Sequence, residues 1–121
     1  MSWKLDSDRP IYTQILERMQ LQIVSGIYAP GSKIPSVREL AAEAGVNPNT
    51  MQKALSELER CGLVITQRTI GRTVTEDISM IQNTKKQLAK DEIVTFIKKM
   101  KELGLSKDEV IQIINSDIEG E

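Results

Sequence analysis

Residues 34–62 read IPSVRELAAEAGVNPNTMQKALSELERCG, from Ile34 to Gly62. Val37, Leu40, Ala41 and Ala44 fall at i, i+3, i+4 and i+7, which places them on one stripe of a helix. Ser36 and Glu39 stand at the S-x-x-E spacing of a capping box, in which each side chain satisfies a backbone donor of the first turn. Gly45 follows the last apolar position, where a helix end often needs a positive φ. A second helix restarts almost at once, with Asn47 as its N-cap and Pro48 at the first helical position, where a missing N–H is harmless. Its apolar set is Met51, Ala54, Leu55 and Leu58, again one face at the 3.6 period.

With that face turned inward, the start of the second helix offers Asn47, Asn49, Thr50, Gln52 and Lys53 to the outside. Amide and hydroxyl side chains hydrogen-bond base edges, and a lysine reaches guanine or phosphate. This is the arrangement of a helix-turn-helix, whose second helix presents its N-terminal residues to the DNA major groove. The same residues also fit a capped surface helix in an ordinary bundle, where they serve only solubility.

The flanks separate the two readings. Pro10 to Ser25 is expected to be helical, with Ile11, Ile15, Met19 and Ile23 in line, Tyr12 and Leu16 beside them, and Asp8 or Arg9 at the cap. Residues before it are polar and expected to be loosely held, with Trp3 and Leu5 as attachment points. Gly26 ends this helix, Ala29-Pro30-Gly31 is a turn, and Ser32-Lys33-Ile34 is a connector or a single edge strand. After Gly62 the period changes to 2. Leu63–Gln67 and Arg72–Thr75 are β-branched runs around Arg68-Thr69-Ile70-Gly71, a hairpin signal in which Gly71 supplies a positive φ. A hairpin directly after a reading helix is a wing. Its tip, with Arg68 and Arg72, is expected against the DNA backbone or in the minor groove, where arginine is attracted by the negative potential. The alternative is a structural hairpin with solvated arginines.

At 121 residues there is room for one compact domain and an appendage. The formal charge of −1 is awkward for a nucleic-acid binder, since affinity rests largely on neutralising phosphates. Residues 1–75, however, hold nine Lys/Arg against seven Asp/Glu, and residues 76–121 hold seven against ten. The acidic excess thus lies away from the reading helix, and the modest net of +2 beside it argues for a dimer. One cysteine and no signal peptide or long apolar run point to a cytoplasmic setting and no membrane. Cys61, at a helix end, is expected to be a buried or half-buried structural thiol. No histidine is present, and no nucleophile–base pair, glycine-rich phosphate loop or spaced metal-ligand set is found, so catalysis, metals and cofactors are not expected. Asp91-Glu92 and Asp108-Glu109 read as solvated residues at helix starts.

Four runs carry a family resemblance: Pro10-Ile11-Tyr12-Thr13-Gln14-Ile15, the stretch from Gly26 to Ala41 containing P-G-S-K-I-P-S-V-R-E-L-A, Val46-Asn47-Pro48-Asn49-Thr50, and L-x-x-L-x-x-x-G-L from Leu55 to Leu63. Together they resemble the DNA-binding domain of GntR-type bacterial transcription regulators over about residues 9–77. The resemblance implies a winged helix-turn-helix that binds palindromic double-stranded operator DNA as a homodimer, usually as a repressor. It also implies DNA contact at Arg38 of the P-S-x-R run and at Asn47, Asn49, Thr50 and Gln52; Ser36, Pro48, Lys53, Arg68, Gly71 and Arg72 complete the expected DNA-binding set. The wing departs from the frequent R-x-G-x-G-T-F-V pattern, lacking one glycine and the aromatic. Pro48 and Gln52 also stand where many members carry arginines.

The remaining 78–121 segment reads as a long helix from Ile78 to Leu103, capped by Asp77 or Ser79, with Ala89, Ile93, Phe96, Ile97, Met100 and Leu103 on one stripe. Gly104 ends it. Ser106 and Glu109 form a second capping box, opening a short helix with Val110, Ile111, Ile113 and Ile114. Two helices this apolar cannot close a core by themselves, so they are expected to pair with a second copy, or else fold back on their own domain. With no large effector domain in this chain, the segment resembles the small YtrA-like subgroup, in which the two C-terminal helices serve dimerisation. A small-molecule effector is compatible with this organisation, and no residue set identifies one. The expected fold is mainly α with a small β-hairpin wing, a winged helix-turn-helix over 9–77 followed by a two-helix dimerisation segment over 78–121. The alternative in another class is a winged helix serving as a protein-interaction module.

Overall fold

A computed structural model describes residues 3–117. The elements run α1 (Ile11–Val24), α2 (Val37–Ala44), α3 (Pro48–Arg60), β1 (Val64–Gln67), β2 (Gly71–Val74), α4 (Ile78–Glu102) and α5 (Lys107–Asp117). They form two compact units, one up to Lys85 and one from Lys86 onward. The division lies inside α4, whereas the sequence pattern suggests a boundary after residue 77. Ile81 explains the difference: it is 5% exposed within the first unit, so the opening turns of α4 belong to that core.

The first unit is a three-helix core with a hairpin. Ile15, Met19 and Ile23 of α1, Leu40, Ala41 and Ala44 of α2, and Met51, Ala54, Leu55 and Leu58 of α3 are buried together with Leu63, Val64 and Val74. Burying Met51, Leu55 and Leu58 alone contributes roughly 5–9 kcal/mol, which fixes the rotation of α3 about its axis far more firmly than any surface contact could. Strands β1 and β2 pair antiparallel, with Thr66 opposite Arg72 and Gln67 opposite Gly71. The connector before α2 adds a short third edge: Lys33 bridges Thr73, and the Ile34 N–H donates to the Arg72 carbonyl.

Local sequence signals account for most boundaries. Both halves of the Ser36/Glu39 capping box form, and Gly45 closes α2 at φ 75°. Asn47 caps α3 by accepting the Asn49 N–H, with Pro48 at the first position. Asp77, rather than Ser79, caps α4 by accepting the Met80 N–H at 3.1 Å. At the end of α3 the Leu63 N–H reaches the Leu58 carbonyl and the Gly62 N–H the Glu59 carbonyl, a Schellman closure with Gly62 at φ 87°.

Four expectations are corrected. The cap of α1 is Pro10 itself, with no side-chain cap; Arg9 instead forms an ion pair with Glu17 at 2.8 Å. The segment before α1 is held in place by Gln14, a buried polar residue: its side chain accepts the Asp6 N–H and donates to the Asp6 and Arg9 carbonyls. The Trp3 N–H further binds the Ala44 carbonyl at the end of α2, and Arg18 lies over the Trp3 ring. Cys61 is exposed, because as the C-cap of α3 it stands at the helix end, where the chain turns away at Gly62 and leaves it uncovered. Asp91 and Glu92 lie mid-helix in α4, where Asp91 accepts from Gln87 one turn earlier.

In the second unit, α4 ends at a Gly104 with φ 86°, and both arms of the Ser106/Glu109 capping box form at 2.9 and 3.2 Å. Ile93, Phe96, Leu103, Ile111 and Ile114 are exposed, as is Ala89, while Ile97 and Met100 are half-buried. Val110 differs from its neighbours in the expected pairing stripe. It is 4% exposed within the single chain, so its side chain is covered before any partner arrives.

The glycine closing α3 gives a test of this packing. A Cβ at Gly62 would lie 3.0 Å from Met80 Cε at a positive φ, whereas a Cβ at Gly26, also at positive φ, would meet nothing within 4 Å. Gly26→Ala is expected to cost about 1 kcal/mol from backbone strain alone, and Gly62→Ala to cost more. Equal losses in urea denaturation would mean that the flexible end of Met80 moves aside for the added methyl without cost.

Candidate nucleic-acid interface

The exposed polar residues of α3 follow from its buried side. Asn47, Pro48, Asn49, Gln52 and Lys53 are exposed and Thr50 is half-buried, while Met51, Ala54, Leu55 and Leu58 are fully enclosed. The Asn47 oxygen is engaged by the Asn49 N–H at 2.7 Å, which leaves the amide nitrogen as its free donor. Gln52 donates to Ser56 Oγ at 3.2 Å, a weak exposed contact that a stronger partner can displace. Lys53 has an unexpected neighbour: its Nζ sits 4.0 Å from the centre of the Tyr12 ring on α1. That cation–π contact restrains a long side chain and keeps the charge at the protein surface.

Between the start of α2 and the hairpin lies an open groove of about 500 Å³, lined among others by Lys33, Ser36, Arg38, Thr66, Ile70 and Arg72. Arg38 is exposed on the first turn of α2. The Ser36 hydroxyl already accepts the Glu39 N–H, so toward a phosphate it has only its proton to give. Lys33 is a cation that the pattern of the sequence does not single out. It comes to the groove because its segment joins the hairpin edge and lies beside Gly71, where a Cβ would come 3.6 Å from the Lys33 side chain. The only signal in the sequence is its place in the short extended run before α2.

The hairpin meets one expectation and revises another. Gly71 has φ 106°, so the loop Arg68-Thr69-Ile70 closes as the pattern suggests, with Arg68 exposed on it. Ile70 is also exposed there, at 51%. Arg72 is not a free tip cation. Its Nε donates to Glu59 Oε1 on α3 at 2.6 Å, and its side chain is 19% exposed. A basic side chain beside a carboxylate loses most of its pull on a distant phosphate, and the register of the hairpin aims Arg72 at α3 rather than outward. Glu59 also accepts from Thr66 Oγ1 at 2.6 Å. Among the described residues, Arg38 and Arg68 enter no ion pair, which leaves them the uncompensated arginines of this surface.

The residues matched by the family model for bacterial regulatory proteins of the gntR family are 11–74, more than half of the chain and nearly all of this surface. The chain belongs to the GntR family. It is 40% identical over 120 residues to the uncharacterised HTH-type transcriptional regulator YhcF of Bacillus subtilis, covering 99% of both chains. It is 43% identical over 94 residues to the HTH-type transcriptional repressor YtrA of the same organism, covering 70% of this chain and 72% of that one. A GntR family transcriptional regulator from Listeria monocytogenes superposes with a TM-score of 0.84 at 39% identity, covering 92% of this chain and 97% of that one. The DNA-binding domain of AraR, solved in complex with an operator, matches with a TM-score of 0.53 at 30% identity over 62% of this chain and 92% of that one. This GntR member is a DNA-binding transcription regulator with a winged-helix fold, and these relatives are regulators rather than enzymes. Among the described residues, no helix is long and apolar enough to cross a membrane.

Glu59 bonds both strands of the hairpin from α3. Its carboxyl is lowered below the ordinary glutamate range, first by the Thr66 hydroxyl and then by Arg72. A lowered carboxylate stabilises the fold fully above its unfolded pKa, and that contribution is lost as pH falls through the folded value. The stability difference between wild type and Glu59→Gln is therefore expected to be largest near neutrality and to shrink from about pH 6 to about pH 3. A difference that stays constant over that range in thermal melts would rule out the ion pair as its source.

Proposed function

We propose that this GntR regulator is a repressor that binds a pseudo-palindromic operator as a homodimer and acts by occupying its promoter. The observation that carries the reading is the outward, polar start of α3: Asn49 and Gln52 are exposed opposite a fully buried apolar face. In this reading Asn47, Asn49, Thr50 and Gln52 meet base edges in the major groove, with Pro48 allowing close approach of the helix start. Ser36, Arg38, Lys53 and Arg68 bind phosphates, and Gly71 lets the wing backbone run close to the duplex. The YtrA relative is a transcriptional repressor, which supports the direction of control, and the AraR–operator complex supports DNA as the partner.

We assign DNA contact to residues 9–77 and pairing to residues 78–121, with the opening turns of α4 belonging to the DNA-binding body. Pairing is supported by the exposed apolar residues Ile93, Phe96, Leu103, Ile111 and Ile114, which a lone chain leaves in water. Ala89, Ile97 and Met100 extend that stripe, whereas Val110 supports it from within. Two reading helices held about 34 Å apart, or a multiple of that, fit a two-fold symmetric site.

Selection of bound fragments from random duplex DNA provides the operator and the first test; recovery of no preferred sequence at low salt would refute the reading. On the selected site, Gln52→Ala is expected to cost about 1–3 kcal/mol and to relax preference at one base pair. Arg38→Ala is expected to weaken all sequences alike and to flatten the salt dependence by about 0.9 in log–log slope, the signature of one lost phosphate contact. A loss confined to one sequence would instead make Arg38 a base reader.

Phe96→Asp places a charge in the apolar stripe and is expected to yield a monomer with poor operator affinity. A variant that still sediments as a dimer would move the interface away from α4.

A further inference from the structure

One carboxylate joins three elements of the winged unit. Glu59 sits in the last turn of α3, and its two oxygens take separate donors: Oε1 accepts from Arg72 Nε and Oε2 from Thr66 Oγ1, both at 2.6 Å. Thr66 and Arg72 are direct partners across the hairpin, one on each strand. A single rung of the hairpin is therefore tied at both ends to the helix that carries the reading residues. The tie is partly shielded from water, with side-chain exposures of 19% for Arg72 and 31% for Glu59, and charge-assisted bonds in such surroundings are roughly twice as strong as neutral ones. The base of the hairpin is anchored by the buried Val64 and Val74 and by the Lys33–Thr73 bridge, so the tie acts on its outer part, where residues 65–70 are all exposed.

We propose that Glu59 is a positioning residue for DNA recognition: through Arg72 and Thr66 it sets the angle of the wing on the reading helix, and it withdraws Arg72 from the DNA so that Arg68 is the wing's phosphate-binding cation. The inference rests on the DNA-binding reading given above and adds a specificity determinant to it. Helix and wing touch the duplex at different places, so their mutual angle decides which duplex shapes satisfy both. A wing free to swing would still bind phosphates but would discriminate less between sites.

The experiment measures affinity for the selected operator and for a scrambled duplex of equal length at several salt concentrations, using the full chain. Wild type supplies the reference ratio; a wild-type ratio of one would overturn the DNA-binding reading itself and this inference with it. Given a wild-type preference, Arg72→Gln and Glu59→Gln are each expected to lower the operator-to-scrambled ratio about tenfold, and the double variant no further, because partners in one network are coupled. Arg72→Gln is expected to leave the salt slope unchanged. Glu59→Gln frees the guanidinium and is expected to steepen that slope by as much as about 0.9. A general loss of folded protein would lower the active fraction without changing the ratio or the slope, so these readouts separate positioning from simple destabilisation. If Glu59→Gln does not fold, Thr66→Val, which removes one hydrogen bond and keeps the ion pair, is expected to lower the ratio in the same direction by less. The inference is overturned if Arg72→Gln flattens the slope by about 0.9, the sign of a lost phosphate contact. It is equally overturned if the two single losses add, or if the ratio is untouched in every variant.

Discussion

The rotation of α3 about its own axis is the constraint from which the surface follows. Met51, Ala54, Leu55 and Leu58 are wholly enclosed, and α3 is the element that α1, α2 and β1 all contact. Turning the helix by even one residue would bring Gln52 or Lys53 into an apolar core, and burying an unpaired amide or ammonium there costs several kcal/mol. The polar start of the helix therefore has one direction available to it. Everything proposed about base reading uses that direction.

Around this helix the molecule adds cations by two different routes. Arg38 comes from the first turn of α2, inside the Ser36/Glu39 capping box, and Lys33 comes from a segment that joins the hairpin edge. Lys33 and Arg38 lie close together in the chain and line one groove, while Arg68 stands on the hairpin loop. That clustering offsets the modest charge of the unit, because a duplex responds to local positive potential rather than to a total. Arg72 illustrates the opposite case, where a cation counted toward the surface is spent on internal structure.

The second unit is built on another logic. Its caps and its Gly104 closure are complete, yet among its described apolar residues Val110 is enclosed while Ile93, Phe96, Leu103 and Ile111 face water. Good local signals with poor burial describe a segment whose helices are specified by the chain and whose packing is left to something outside it. The homodimer proposed above would fill that role, and the apolar area exposed is what such pairing would remove from solvent.

Periodicity, caps and glycines are local properties, and on those the chain alone determined the helix pair, the hairpin, the Asn47–Pro48 start of the reading helix and both capping boxes. Each depends on residues near each other in the chain, within a turn for the caps and about ten residues for the hairpin, so nothing distant can overrule it cheaply. Tertiary structure alone decided that Gln14 pins the N-terminal segment, that Lys33 joins the groove, that Lys53 rests on Tyr12, and that Arg72 turns to Glu59. In each of these a polar side chain meets a partner brought close by packing, and the partner's position depends on how helices stack rather than on spacing. Cys61 and Val110 belong to the same class, since a residue at a helix end is buried or bare according to what the next element does. Hydrophobic pattern thus laid out the scaffold, and three-dimensional neighbourhood settled the employment of its charges.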